Sequence, residues 1–418
     1  MRFRVAVIIM LFVTSLLITG CNGAKELDDV AYVLTIGVDA AEGDQLIFTY
    51  EVAIPRALAS ESPGKANLKA TVDFVTVTAP TLTEGRNLLN SVLARAPNLS
   101  HVTTFVIGED LARKGLTGFL GMTMRLRTFR GATDIVVVNG KAKDFLMQNT
   151  PEEVLPSRWF QAILSTGDDT GYYLRTSLHE FYVRLKSHSG SPYATLMGIN
   201  PLNGEGRSSG PAASNDNVQH DYLPKDIPRT GGNPATVVGT AVFKGDKMVG
   251  MLPSEETRIL AMLLGNYPRG FMTITDPLAP QHSINVNLRL GRNPKIDVNI
   301  SDEHAIISIN VFLKGYLAGI PSGINYESAE NNSILNQQIS EMVRQKMLLM
   351  LQQTQELGAD IVDFGYYLRP KYATAQEFEN LHWDTLYPNA KFNVVVTTHI
   401  QLTGLMHKTA PIPSEKMQ

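Results

Sequence analysis

The chain has 418 residues, a formal net charge of −3 at pH 7, 44% hydrophobic residues and a single cysteine. Such a length can build two or three ordinary cores, and one cysteine excludes an internal disulfide framework. With 37 basic against 40 acidic residues there is no basic excess for nucleic acid and no polybasic run for anionic lipid.

Arg2 and Arg4 precede an uncharged apolar stretch from Val5 to Ile18. It is shorter than the about 20 residues that cross a bilayer and fits the hydrophobic part of a secretory signal. Ile18-Thr19-Gly20 then lead directly into the sole cysteine, Cys21. These four residues resemble a bacterial lipobox. That resemblance implies cleavage before Cys21, diacylglycerol on its sulfur and an acyl group on its amine. Residues 1–20 are then a lipoprotein signal peptide and 21–23 the lipidated N-terminus. Losing Arg2 and Arg4 leaves the mature chain at −5. One acyl chain holds a protein only marginally and two or more hold it firmly, so Cys21 is read as an anchor and not as a nucleophile.

Behind the anchor, "YVLTIGVDA" (32–40) and "QLIFTYEVAI" (45–54) read as a hairpin turning at Glu42-Gly43-Asp44. "DFVTVTAPT" (73–81) adds a strand, and Leu82 to Ala94 have helical apolar spacing ended by Pro97. "TTFVIGE" (103–109), a helix over 111–127 and "TDIVVVNG" (133–140) continue the alternation. Strand–helix–strand order predicts a mixed or parallel sheet with helices on it, an N-terminal α/β domain over 24–148. Thr150 and Pro151 suit a helix start; a second helix is expected over Tyr172 to Lys186, then a strand over 193–200. Residues 203–234 are rich in Gly, Ser, Asn and Pro and read as an unpacked polar loop. "TVVGTAVFKGDKMVGML" (236–252) is a clear hairpin, and Ser254 opens a helix ending near Leu264-Gly265. These elements make a middle domain over 149–270.

The segments after Pro268 predict an antiparallel meander followed by a long helix from Glu327 to Leu357, about 45 Å at 1.5 Å per residue. Ile339, Met342, Val343, Met347 and Met350 share one stripe, read as core, and Gly358 is a natural stop. "FNVVVTTHIQLTG" (392–404) is expected to pair with the meander as an antiparallel strand. This C-terminal domain covers 271–409, with a tail over 410–418. The fold class is mixed α/β: three domains of mixed or antiparallel sheets with packed helices, the last a meander covered by one long helix.

Several segments, in order, resemble the Ger(x)C family, the lipoprotein C subunits of nutrient germinant receptors of spore-forming bacteria. They are "ELDDVAYVLTIGVD" (26–39), "LARKGLTGFL" leading to Arg125 and Arg130, "GTAVFKGDKMVGML" (239–252) with "EETR" (255–258), "LGADIVDFGYYLR" (357–369) with "WDTLYP" (383–388), and "VVVTTHIQLTG" (394–404). The sequence departs from the family at Asn22-Gly23-Ala24-Lys25, where a Trp is common, and in its longer polar loop. The resemblance implies a three-domain α/β fold and no catalysis. It implies a place on the outer face of the membrane enclosing the spore core, beside two integral-membrane subunits of A and B type.

The residues themselves give no competing chemistry. His179-Glu180 lacks the second histidine of a helical zinc site. His382-x-Asp384 reads as helix surface, with His382 a stacking partner for Trp383. "GEGRSSG" (204–210) has Ser209 where a dinucleotide loop needs glycine. Ser189-Gly190-Ser191 has no triad partner, and Asp168-Asp169 lie in a loop. Gly115, Gly118 and Gly121 read as a poor helix start or turn, with close approach to another backbone the alternative, and Arg125, Arg127 and Arg130 as charges suited to a helix end and solvent, with a binding patch the alternative. No catalytic, cofactor or metal residue is expected, and the only non-protein groups are the lipids on Cys21. Two other readings stand beside the receptor subunit: a solute-binding lipoprotein of a transporter, which would need two similar lobes around a cleft, and an anchored extracellular enzyme, which would need a titratable cluster.

Overall fold

The computed structural model of the chain describes residues 3–5, 29–54, 71–151, 153, 156–200, 221–302 and 304–402. Cys21 and the 204–210 segment lie outside these residues. The first sheet opens with the expected hairpin. β1 (Val30–Ala40) pairs antiparallel with β2 (Leu46–Ala53), with Val38 opposite Phe48 and Gly43 at φ +63° in the turn. β3 (Val72–Ala79) pairs antiparallel on the outer side of β2. Thr81 then caps α1 (Leu82–Val92) by accepting from the Glu84 N–H, as a hydroxyl at that position should.

A short β4 (Ala96–Asn98) runs parallel to the start of β1, and β5 (Thr104–Gly108) and β6 (Asp134–Val138) extend the parallel core. Every residue of β5 and β6 is buried, the signature of strands covered on both faces. One face carries α1, α2 (Glu109–Lys114) and α3 (Thr117–Thr123), with Phe105, Leu111 and Phe119 in its core. On the other face α4 (Ala142–Gln148) and α5 (Pro156–Ser165) pack Phe145 and Phe160 on Val106 and Val136. After α6 (Leu178–Lys186), β7 (Tyr193–Ile199) joins parallel to β6, and the hairpin β8 (Ala235–Lys244) and β9 (Lys247–Leu252) closes the sheet. The order is β3-β2-β1-β5-β6-β7-β8-β9, with β4 beside β1. The boundary placed at residues 148 and 149 falls inside this sheet, because α4 to α6 form the crossover from β6 to β7.

α7 (Ser254–Leu263) is buried along nearly its whole length between this sheet and the second one. The second sheet has the order β10-β11-β12-β13. β10 (Gly270–Thr275), β11 (Ser283–Ser301) and β12 (His304–Gly319) form the expected antiparallel meander. α8 (Ala329–Glu356) covers it with Leu335, Ile339, Val343, Met347, Met350 and Leu351 buried, while Met342 is only half-buried. The short helices α9 (Phe364–Leu368), α10 (Ala375–Glu379) and α11 (Trp383–Leu386) follow before β13 (Lys391–Leu402). Among the described residues no helix is long and apolar enough to cross a membrane.

Four expectations are corrected. β13 runs parallel to β12 and not antiparallel. α8 carries the chain back along the sheet, and a strand–helix–strand crossover delivers its second strand in the direction of the first. The helix read over 111–127 is two helices, because Gly115 takes φ +126° where Asp246 of the β8–β9 turn accepts the Thr117 N–H at 2.9 Å. The helix read from Tyr172 starts only at Leu178, where Ser177 and Glu180 form a reciprocal capping box. Residues 221–234 are packed: Pro224 is buried, Asn200 Nδ2 donates to the Ile227 carbonyl at 2.7 Å, and Thr236 Oγ1 donates to the Pro224 carbonyl at 2.6 Å.

Candidate functional site

Two of the segments that carry the family resemblance, 239–258 and 357–388, meet where the first sheet joins the C-terminal unit. The first centre is the start of α7. Asp221, brought in by the packed loop, accepts the Glu255 N–H at 2.9 Å and the Ser254 hydroxyl at 3.2 Å, and so caps the helix from outside its own segment. Glu255 then accepts from Arg258 Nη1 at 2.7 Å and from Lys346 Nζ of α8 at 2.9 Å. Arg258 is 2% exposed. Its Nε donates to the Thr170 carbonyl at 3.0 Å, and its guanidinium lies 4.5 Å from the centre of the Tyr172 ring. That engagement holds residues 170–175 in an irregular, non-helical path. Burial, with the nearby Asp221 charge, pushes the Glu256 carboxyl up to about 7, and the Gln353 amide partly opposes the shift.

The second centre is Asp360, 3% exposed, just past the glycine stop of α8 at Gly358 (φ +62°). One carboxyl oxygen accepts the Asp363 N–H at 2.9 Å; the other accepts Trp383 Nε1–H at 2.9 Å and the Gly365 N–H at 3.3 Å. Its backbone carbonyl accepts the Ser191 N–H at 2.7 Å. Asp363, at φ +68°, accepts the Ser189 hydroxyl at 2.6 Å. Arg184 adds a bond to the Ile361 carbonyl at 3.0 Å and stacks 4.7 Å from the Tyr193 ring centre. Gly365 approaches so closely that an added Cβ would meet Ser189 Cα and Trp383 Cδ1 at 2.8 Å each. Burial, with the charge of Asp363 behind it, lifts the Asp360 carboxyl to about 7 against the pull of its N–H donors.

A third buried acid, Glu51, lies inside the first sheet. It faces Thr35 of β1, and Thr104 of β5 continues the row. Its carboxyl has no partner within hydrogen-bond geometry, and neither have the Thr35 and Thr104 hydroxyls. Burial raises it to about 7, which the Thr35 hydroxyl and the Ser157 amide offset only in part.

The residues singled out on sequence fall elsewhere or into this framework. Ser189-Gly190-Ser191 is the loop that receives Asp360 and Asp363. His179 is exposed, and Glu180 is spent on the capping box. His382 is exposed at φ +51°, and its expected partner Trp383 turns inward to Asp360 and stands 6.2 Å from the Tyr387 ring. Asp169 pairs with Arg269 at 2.6 Å. Gly118 and Gly121 face open space while Gly115 closes on Asp246. Asp360, Glu255, Arg258 and Glu51 were not singled out, although all four stand inside segments quoted above; a charge within an apolar run such as "FTYEVA" is the available signal for Glu51. Asp360 and Glu255 have their lone pairs spent on holding two layers together.

The fold and this junction define a two-sheet mixed α/β protein whose buried charges serve internal cohesion. Residues 23–199 match the family model described as spore germination protein N-terminal domain, and residues 238–404 the model described as spore germination B3/GerAC like, C-terminal. The chain therefore belongs to the Ger(x)C family, the C-subunit family of germinant receptors, a non-enzymatic kind of protein. YfkR of Bacillus subtilis (strain 168) is 23% identical over 94% of this chain and 95% of its own. Spore germination protein B3 of the same organism is 21% identical over 96% and 98%. The crystal structure of the GerBC protein is similar in fold, with a TM-score of 0.51, 16% identity, and 87% and 96% of the two chains covered.

Proposed function

We propose that this protein is a lipid-anchored, non-catalytic C-type subunit of a spore nutrient germinant receptor. It would be held through Cys21 on the outer face of the membrane enclosing the spore core and docked on two integral-membrane subunits. The observation that carries the reading is the family match along nearly the whole chain, set directly behind the Ile18-Thr19-Gly20-Cys21 lipobox. The solute-binding alternative asks for two similar lobes around a cleft; a nine-stranded mixed sheet and a four-stranded sheet joined through a buried helix do not support it. The anchor is tested by metabolic labelling with a radioactive fatty acid. The parent chain should take up label and Cys21→Ala should take up none. Equal labelling of the two would refute lipidation at Cys21.

A further inference from the structure

Five arginines from three stretches of the sequence, Arg86, Arg95 and the trio Arg125, Arg127 and Arg130, are carried by the elements around the start of β1. Ala96 pairs with Val30, which puts Arg95 beside the first residues of the sheet. A cleft of about 420 Å³ is lined jointly by Val30, Arg86, Ala96, Leu126 and Thr128, so the loop carrying Arg125 and Arg127 lies against the same point. In that loop Leu126 and Phe129 are half-buried and packed on the core, Phe129 with its ring 5.0 Å from Phe105. Arg125, Arg127, Thr128 and Arg130 are exposed around them. The inward pair fixes the outward arginines. None of the five forms an ion pair among the described residues. Five acids lie at this end as well, and of these Asp134 is charge-paired, with Arg175 at 2.7 Å; Glu180 caps α6, Glu84 accepts from Asn87, and Asp29 and Asp73 are exposed, while the 125–130 loop itself carries three arginines and no acid.

We infer that this arginine face is a docking surface for the anionic phospholipid headgroups of the membrane to which the chain is tethered. The orientation rests on the Cys21 anchor proposed above. Eight residue steps separate Cys21 from Asp29, and even a fully extended chain spans no more than about 29 Å over that length. The end of the sheet where β1 starts is therefore the end kept near the bilayer, and the arginines surround it. Guanidinium groups match phosphate in a bidentate fork, and basic residues near an anionic leaflet add attraction that fades beyond a Debye length. A chain of net −5 once Arg2 and Arg4 are removed would otherwise be repelled by such a surface, so a local basic face also fixes which end turns toward it.

The test uses the mature chain, residues 21–418, with Cys21→Ser so that no lipid contributes. It is sedimented with vesicles of phosphatidylcholine alone or with roughly 30 mol % phosphatidylglycerol, at about 100 mM and about 500 mM NaCl. The chain should pellet with the anionic vesicles at low salt and be released at high salt. Arg125→Gln, Arg127→Gln and Arg130→Gln together should weaken that binding at least tenfold with no change in Tm. Arg113→Gln, Lys141→Gln and Lys143→Gln together, at the opposite end of the same strands, should leave it unchanged. Equal binding to both kinds of vesicle, no binding to either, or an arginine variant that binds like the parent would overturn the inference; absence of vesicle binding would return the face to an acidic protein partner. Because no acyl chain is present, failure here is separate from failure of the fatty-acid labelling.

Discussion

Asp360→Ala removes the acceptor for three N–H groups at once: Asp363 and Gly365 in the backbone and Trp383 Nε1. Asp360 is 3% exposed and Trp383 is buried, so water does not readily replace the lost carboxylate. Each buried donor left unpaired costs roughly 1–3 kcal/mol, and bonds to a charged acceptor lie at the upper end. The burial penalty on the carboxyl, which lifts it to about 7, refunds part of that sum when the charge is deleted. A net loss of about 3–5 kcal/mol follows, a large fraction of the 5–15 kcal/mol that holds a typical domain. For a unit of about 150 residues this lowers Tm by roughly 6–20 °C. The assay is thermal unfolding by circular dichroism, combined with amide hydrogen exchange. Exchange should rise in residues 357–390 and in the loop at Ser187 to Ser191, and much less in β5 and β6. A Tm within about 2 °C of the parent, or exchange raised evenly across the first sheet, would refute the view that Asp360 locks the layers together.

Two further outcomes follow from the same structure. Glu51 is raised to about 7 in the folded chain, above its ordinary value near 4.3 when unfolded. Its contribution to stability is therefore complete below about pH 4 and is lost as pH climbs through 7. Glu51→Gln should flatten the decline in Tm between pH 5 and 8, making the variant more stable than the parent by about 1–3 kcal/mol at pH 8; parallel Tm–pH curves would contradict this. Glu256 and Asp360 titrate in the same direction, so a residual slope should remain. Gly365→Ala drives a methyl into Ser189 and Trp383 and should destabilise by about 1–3 kcal/mol in urea unfolding, whereas Gly118→Ala, which faces open space within a helix, should not destabilise.

What was legible in the sequence is local. The hairpin turns, the β5 and β6 apolar runs and the stripe from Ile339 to Met350 each depend on neighbours within a few residues, and each has its expected form apart from the half-buried Met342. What was not legible depends on partners far along the chain. Gly115 breaks a helix because Asp246, 129 residues beyond Thr117, accepts the Thr117 N–H, and residues 170–175 stay non-helical because Arg258 claims a carbonyl and a ring there. Asp360 reads as an ordinary surface acid until Trp383, 23 residues on, turns its ring N–H inward. The direction of β13 is a property of the crossover through α8 and not of its own residues. The arginine face follows the same rule in part: Arg125, Arg127 and Arg130 are neighbours in sequence, and the pairing of Val30 with Ala96 and the packing of Leu126 bring them beside Arg86 and Arg95.

The most direct measurement of the central claim is a mild-detergent pull-down of the tagged, lipidated protein from spore membranes, with its companions identified by mass spectrometry. A lipid-anchored germinant receptor subunit should bring down two multi-span membrane proteins and no ATPase. Recovery of a permease together with an ATPase would contradict the account and favour solute capture for transport.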